Sequence, residues 1–212
     1  MEIVKVVGKG GVVTIPEEQM ERIVSELAAG RLIVYPTETV YGLGCDPFDE
    51  TAVKRVYMAK RRPFDMAMSI AVKDVRMMEE LAVLDDRARS LVKKFMPGPI
   101  TLIVAKRPAV PDILTSSTNE IGIRIPDNPV ALKIIEEFGP IVSTSANIHS
   151  HKNPLTCQDA IGDLGPAVSV YVDGGPARFG KPSTIVQLNE GEMALIRPGA
   201  IPAETIEAAL NE

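Results

Sequence analysis

Tryptophan is absent from this chain of 212 residues, and cysteine and histidine occur only twice each. Cys45 and Cys157 form no CxxC pair, which excludes a disulfide framework or a zinc ribbon and fits a reduced, cytoplasmic setting. His149 and His151 lie two apart in IHSHKNP without Cys or Glu at ligand spacing, so they read as surface histidines rather than metal ligands. GxSxG and HExxH are also missing, which excludes the usual hydrolase nucleophile and zinc-protease signatures. With four tyrosines and five phenylalanines as the only aromatics, there is little material for stacking single-stranded bases. A net charge of −5 provides no overall positive field to attract nucleic acid. Nothing approaches the run of about 18 apolar residues that a membrane span needs, and MEIVKVVGKGG is no signal peptide.

What remains is an ordinary globular composition, 45% hydrophobic and 24% charged. The length predicts one domain over 1–212, able to bury a core without disulfides or metal. In residues 14–29 (TIPEEQMERIVSELAA), Met20, Ile23, Val24 and Leu27 make one apolar stripe, with Thr14 and Glu17 as a capping box and Gly30 as the stop. RLIVYP then reads as a buried strand. Helices also fit 50–60, 74–82, 85–95, 128–138, 157–164 and 203–210. Apolar runs at 67–72, 100–105, 121–125, 140–144, 168–172, 184–188 and 193–196 read as strands. Alternation early and crowded strands late predict a layered α/β fold around a mixed sheet.

GPARFGKPST (175–184) nearly spells the phosphate loop GxxxxGK[ST], but Pro182 stands where the Mg²⁺-binding hydroxyl belongs. The segment that follows, STIVQL, is β-branched and strand-like, so no helix N-terminus is available for a phosphate. A Gly/Pro-rich hairpin is the expectation.

Three other segments carry polar groups where strands end. In YPTETVYGLGCDP (35–47), hydroxyls and glycines suit either a small polar ligand or a tight connection. In AKRRPFD (59–65), Arg62 before Pro63 is held extended and could aim a guanidinium at phosphate, although cations at a helix end also answer the dipole. VSTSAN (142–147) is either a cap or a row of donors. Between Thr51 and Phe64 there are five cations and no acid, which is a solvated helix face or a local patch for an anionic partner.

Together these segments carry a resemblance. PTETVYGLG, KRRP, PGPITLIV (97–104), IGIRIP (121–126), STSAN, PST (182–184) and IRPG (196–199) follow in order the pattern of the YrdC/Sua5 family of threonylcarbamoyl-adenylate synthases, over roughly 17–200. The resemblance implies a twisted mixed sheet with helices packed around it and a basic concave face. It implies condensation of L-threonine, bicarbonate and ATP into threonylcarbamoyl-AMP with release of pyrophosphate, serving adenosine 37 of tRNA through a downstream transfer complex. Since the chain stops at 212, it resembles the short form without the extra C-terminal Sua5 domain.

Residue by residue, the resemblance assigns Lys60 and Arg62 to the phosphates as catalytic cations, with Arg197 as a further one. Ser145, Asn147, Asn153 and Ser183 would donate to ATP, while Thr37, Arg124 and Ser143 would hold threonine, Arg124 pairing its carboxylate. Tyr41 and Leu43 would wall the pocket, and Mg²⁺ would be held mainly by the nucleotide. The chain departs from the pattern at Arg61 (usually Gly), Met66-Ala67-Met68 (Asn-Pro-Leu), Ala71 and Asn128 (both His), and His149-Ser150 (SG). A polar contact to nucleotide and a histidine near threonine are thereby missing. The competing reading is a non-catalytic module of the same fold that contacts double-stranded RNA or tRNA through the run 54–62.

Overall fold

A computed structural model of the chain describes residues 1–9, 12–189 and 192–211. In chain order the strands are β1 (Glu2–Lys5), β2 (Val7–Lys9), β3 (Val12–Thr14), β4 (Ile33–Tyr35), β5 (Gly42–Gly44), β6 (Ser69–Ala71), β7 (Ile100–Ala105), β8 (Glu120–Arg124), β9 (Ile141–Ser145), β10 (Val170–Asp173), β11 (Thr184–Asn189) and β12 (Glu192–Arg197). The helices are α1 (Glu17–Ala28), α2 (Glu50–Lys60), α3 (Val75–Leu81), α4 (Asp86–Phe95), α5 (Pro129–Phe138), α6 (Cys157–Leu164) and α7 (Ala203–Leu210). Ten strands join one twisted mixed sheet in the order β1-β10-β4-β5-β9-β6-β8-β7-β11-β12, while β2 and β3 pair separately. The expected α/β architecture is the one observed.

The central strands are buried on both faces, and their period-two alternation assigns side chains to two separate cores. In and around β4, Leu32 and Val34 enter one core and Ile33 and Tyr35 the other; in β9, Val142 and Ile141 divide the same way. The first core packs the sheet against α2, α3, α4, α6 and α7, and the second against α1 and α5. The α1 stripe of Met20, Ile23 and Leu27 lies in the second core, as its spacing requires.

The structure corrects three expectations. Thr14 caps nothing: it ends β3 opposite Val7, and α1 begins at Glu17 behind Pro16, which has no side-chain cap. Proline suits the residue ahead of the helix, because its ring already fixes φ, here −57°. The segment 174–183 is not a hairpin, because β10 and β11 are separated in the sheet by β4, β5, β9, β6, β8 and β7. It is a crossover, and the true C-terminal hairpin is β11–β12. Finally, residues 42–44, read as part of a turn or ligand loop, form β5 between β4 and β9. Glycines hide that strand from propensity, yet they are required there. The Tyr35 ring of β4 covers both, at 2.7 Å from where a Cβ of Gly42 would sit and 2.9 Å from one of Gly44.

Candidate active-site cleft

The central strands and the turns beside them surround a polar cleft that opens to solvent. Its lining draws on the 37–41 turn, the 62–69 segment, β9 (Ser143, Thr144, Ser145), Thr101, Arg124, Ser183 and Arg197. Segments about 160 residues apart in sequence meet here because the sheet order sets β5, β9, β6, β8, β7 and β11 side by side.

One side of the cleft is organised by the PTET turn. The Thr37 hydroxyl accepts from the main-chain N–H groups of Thr39 (3.2 Å) and Val40 (3.3 Å), shares a hydrogen bond with the Thr39 hydroxyl (2.8 Å) and donates to the Val40 carbonyl (2.5 Å). This closes a Ser/Thr turn on itself. Arg124, at the end of β8, is 6% exposed. Its Nη2 pairs with Glu38 Oε1, its Nη1 donates to Thr39 Oγ1 at 3.2 Å, and its Nε is buried without a partner. Ser143 faces its β6 partner Ser69 across the ladder, and both border the cleft. Thr37, Arg124 and Ser143 are therefore brought together.

On the other side the cations differ in kind. Arg62 lines the cleft with Nε on the Met66 carbonyl (3.2 Å) and Nη2 on the Ala67 carbonyl (2.9 Å). Arg197 is held by Ser183, through its carbonyl (2.8 Å from Nη2) and its hydroxyl (3.0 Å), and that hydroxyl also shares a hydrogen bond with Thr101. Burial, then the like charges of Arg124 and Arg62, push the Arg197 guanidinium below its usual pKa. Three guanidinium groups thus converge, and among the described residues no Asp or Glu lines the cleft.

Lys60 is placed otherwise. It is 1% exposed and does not line the cleft. Its ammonium donates to the Ser145 carbonyl, to the Asn147 carbonyl (2.8 Å) and to Asn147 Oδ1 (3.3 Å), so its three protons are used within the chain. Burial, together with Arg62, pushes its pKa down to about 7. Asn147 is likewise occupied: Oδ1 accepts from Ser145 Oγ (2.6 Å) and Nδ2 donates to the carbonyls of His151 and Lys152. Lys60 and Asn147 shape the STSAN turn, while Ser145 reaches the cleft wall. Asn153 is exposed and apart from the lining. Tyr41 borders the cleft, but Leu43 is buried in the first core.

Of the five cations in the basic run, Arg55 donates to the Gly30 carbonyl and Lys60 is interior. Lys54 stands 3.8 Å from Glu50, and Arg61, in the left-handed conformation, caps α2.

The departures from the family pattern also find their places. Ala71 is fully buried in the second core beside Ile141, and Asn128 caps α5 by accepting from Val130 and Ala131. Met66 is 37% exposed, and Met68 lies in the cleft lining. His151 contacts Asp163 at 3.1 Å, and among the described residues no group of three His, Cys, Asp or Glu is placed to hold a metal ion.

Sequence reasoning missed Glu38, Thr39 and Thr101. Glu38 is 2% exposed and Thr39 fully buried. An acid within the apolar-flanked PTETVY could have flagged a buried partner for Arg124, but no spacing rule links residues 86 apart.

Fold and geometry together define a mixed-sheet α/β protein with an arginine-lined polar cleft. A family model described as "Telomere recombination" (Sua5, YciO, YrdC) matches residues 25–199, and the chain belongs to this family. The threonylcarbamoyl-AMP synthase of Pyrococcus abyssi is 39% identical over 86% of this chain and 54% of its own length, so the chain spans about half of that relative. The putative threonylcarbamoyl-AMP synthase of Mycobacterium tuberculosis H37Rv is 37% identical over 92% of each chain. Among solved structures, that of P. abyssi Sua5 complexed with L-threonine superposes with a TM-score of 0.93 at 36% identity, covering 99% of this chain and 61% of that one. E. coli YciO superposes with a TM-score of 0.82 at 25% identity over 93% of this chain and 94% of its own. Among the described residues, no helix is long and apolar enough to cross a membrane.

Proposed function

We propose that this chain is a nucleotidyltransferase that makes threonylcarbamoyl-AMP from L-threonine, bicarbonate and ATP, releasing pyrophosphate. Arg124 carries the reading: a guanidinium at the cleft, oriented by Glu38 and Thr39, with a buried Nε that has no acceptor. The guanidinium has five N–H groups and two side-chain acceptors, Glu38 and Thr39, so a carboxylate in the cleft would supply a further acceptor. The relative solved with L-threonine supports threonine as its owner.

In the reaction, the threonine amine forms a bond to the carbon of bicarbonate, with loss of water, and gives a carbamate. A carbamate oxygen then attacks the α-phosphorus of ATP, the bond to the β-phosphate oxygen breaks, and pyrophosphate leaves. Carbamate and mixed anhydride both hydrolyse readily, so positioning and exclusion of water matter more than a strong base. Arg62 and Arg197 offset the charge that builds on the phosphates. Ser145 and Ser183 stand beside them at the cleft wall. Mg²⁺ would arrive on the nucleotide, because the cleft lining offers cations and hydroxyls, a donor set that suits phosphate oxygens rather than a bare cation. When bound, it would neutralise phosphate charge. The product would pass to the machinery that modifies adenosine 37 of tRNA.

The RNA-binding alternative needs the run 54–62 to face a partner, and two of its five cations, Arg55 and Lys60, are committed to internal carbonyl groups. The deciding measurement is pyrophosphate release with ATP, threonine or bicarbonate omitted in turn. Dependence on all three is expected. Release without threonine, or none with all three present, would overturn the synthase reading.

A further inference from the structure

Glu38 is a buried carboxylate outside the cleft lining, yet its contacts join three parts of the molecule. One oxygen pairs with Arg124 Nη2, and the other accepts the main-chain N–H of Asp127 at 3.1 Å. Its own carbonyl accepts the N–H of Phe179, in the β10–β11 crossover, at 2.8 Å. That crossover is tied again to the same loop by Arg178, whose Nη2 lies 2.6 Å from Asp127 Oδ2. Glu38 is thus held at its backbone by one segment and at its carboxylate by another.

We propose that Glu38 is the positioning residue for the amino-acid carboxylate site, fixing the Arg124 guanidinium at the cleft before substrate arrives. The inference rests on the synthase reading and adds a role for a residue that touches no substrate. Five N–H donors on a planar group allow many orientations, and an isolated Arg124 would lose rotamer freedom on binding a carboxylate. Glu38 and Thr39 take Nη2 and Nη1, which leaves Nε as the group without a partner. Preorganisation of this kind strengthens binding by removing an ordering cost, and it acts on the ligand that Arg124 meets rather than on the nucleotide. A carboxylate that only neutralised a buried arginine would instead affect stability and both substrates alike.

The test is Glu38→Gln in the full chain, with binding of L-threonine and of ATP measured by calorimetry beside KM and kcat for each. Folding is checked by circular dichroism. The affinity for threonine should fall about tenfold or more, the range for hydrogen bonds to charged groups, while that for ATP stays within about twofold. Glu38→Asp keeps the charge but retracts the carboxylate, and an intermediate loss is expected. It also serves as the test should E38Q not fold. Threonine affinity unchanged in the folded variant, or equal losses for threonine and ATP, would overturn the positioning role alone. Wild-type protein that binds no threonine would overturn the synthase reading and this inference with it.

Discussion

Replacing Lys60 by methionine sets two opposed forces against each other. Burial disfavours the ammonium, as its pKa near 7 reflects; the oxygens of Ser145 and Asn147 favour it. Hydrogen bonds to a charged donor contribute about 1.5–3 kcal/mol each, and a buried carbonyl left without a donor costs about 1–3 kcal/mol. In K60M the Asn147 carbonyl is left without a donor, whereas the Ser145 carbonyl keeps the Asn147 N–H and Asn147 Oδ1 keeps Ser145 Oγ. Relief of the buried charge returns several kcal/mol, so the net loss should be about 2–4 kcal/mol. For a chain of this size, each kcal/mol lowers Tm by roughly 2–4 °C, and calorimetry should show a fall of about 4–16 °C. The pH dependence follows from the same residue. Its folded pKa, about 7, lies below the ordinary 10.5, so between these values the unfolded chain binds the extra proton. Wild-type stability should accordingly gain a rising component from pH 7 towards 10.5 that K60M lacks. A Tm unchanged within about 1 °C, combined with a large loss of ATP affinity, would refute the tether and make Lys60 a direct phosphate ligand.

Arg62→Ala should lower ATP affinity by about 1.5–3 kcal/mol with little effect on threonine; unchanged ATP binding in a folded variant would remove Arg62 from the phosphate site. Gly199→Ala should unfold the protein or lower its stability by more than about 3 kcal/mol. A Cβ there would collide with the backbone of Pro182, Ser183 and Thr184, which a flexible side chain cannot relieve by moving; a stable G199A variant in a chemical denaturation series would show that this close approach is not needed. Neither thiol should react with Ellman's reagent in the native state, because burial raises the Cys157 pKa to about 11 and that of Cys45 further still. Rapid labelling of either would contradict the packing around α2 or α6.

Much of the fold was legible because the relevant physics is local. The α1 stripe, Pro129 and Gly139 around α5, and the β-branched runs of β7 and β11 state their own periodicity and ends. The cleft's polar residues were legible as strand ends carrying hydroxyls, and by resemblance. β5 was not, because its glycines answer a ring on the neighbouring strand rather than any preference of their own. Nor was the crossover, since GPARFGKPST has hairpin composition and only strand order decides what it connects. The sequence alone determined which residue types were present to bind anions and which local segments would be helix or strand. Tertiary structure decided which cations remain available: Lys60 and Arg62 stand two apart, yet one is interior and the other lines the cleft. It also placed Glu38 against Arg124, across 86 positions, because pairing of charges at that separation depends on how strands stack, which no short-range pattern encodes.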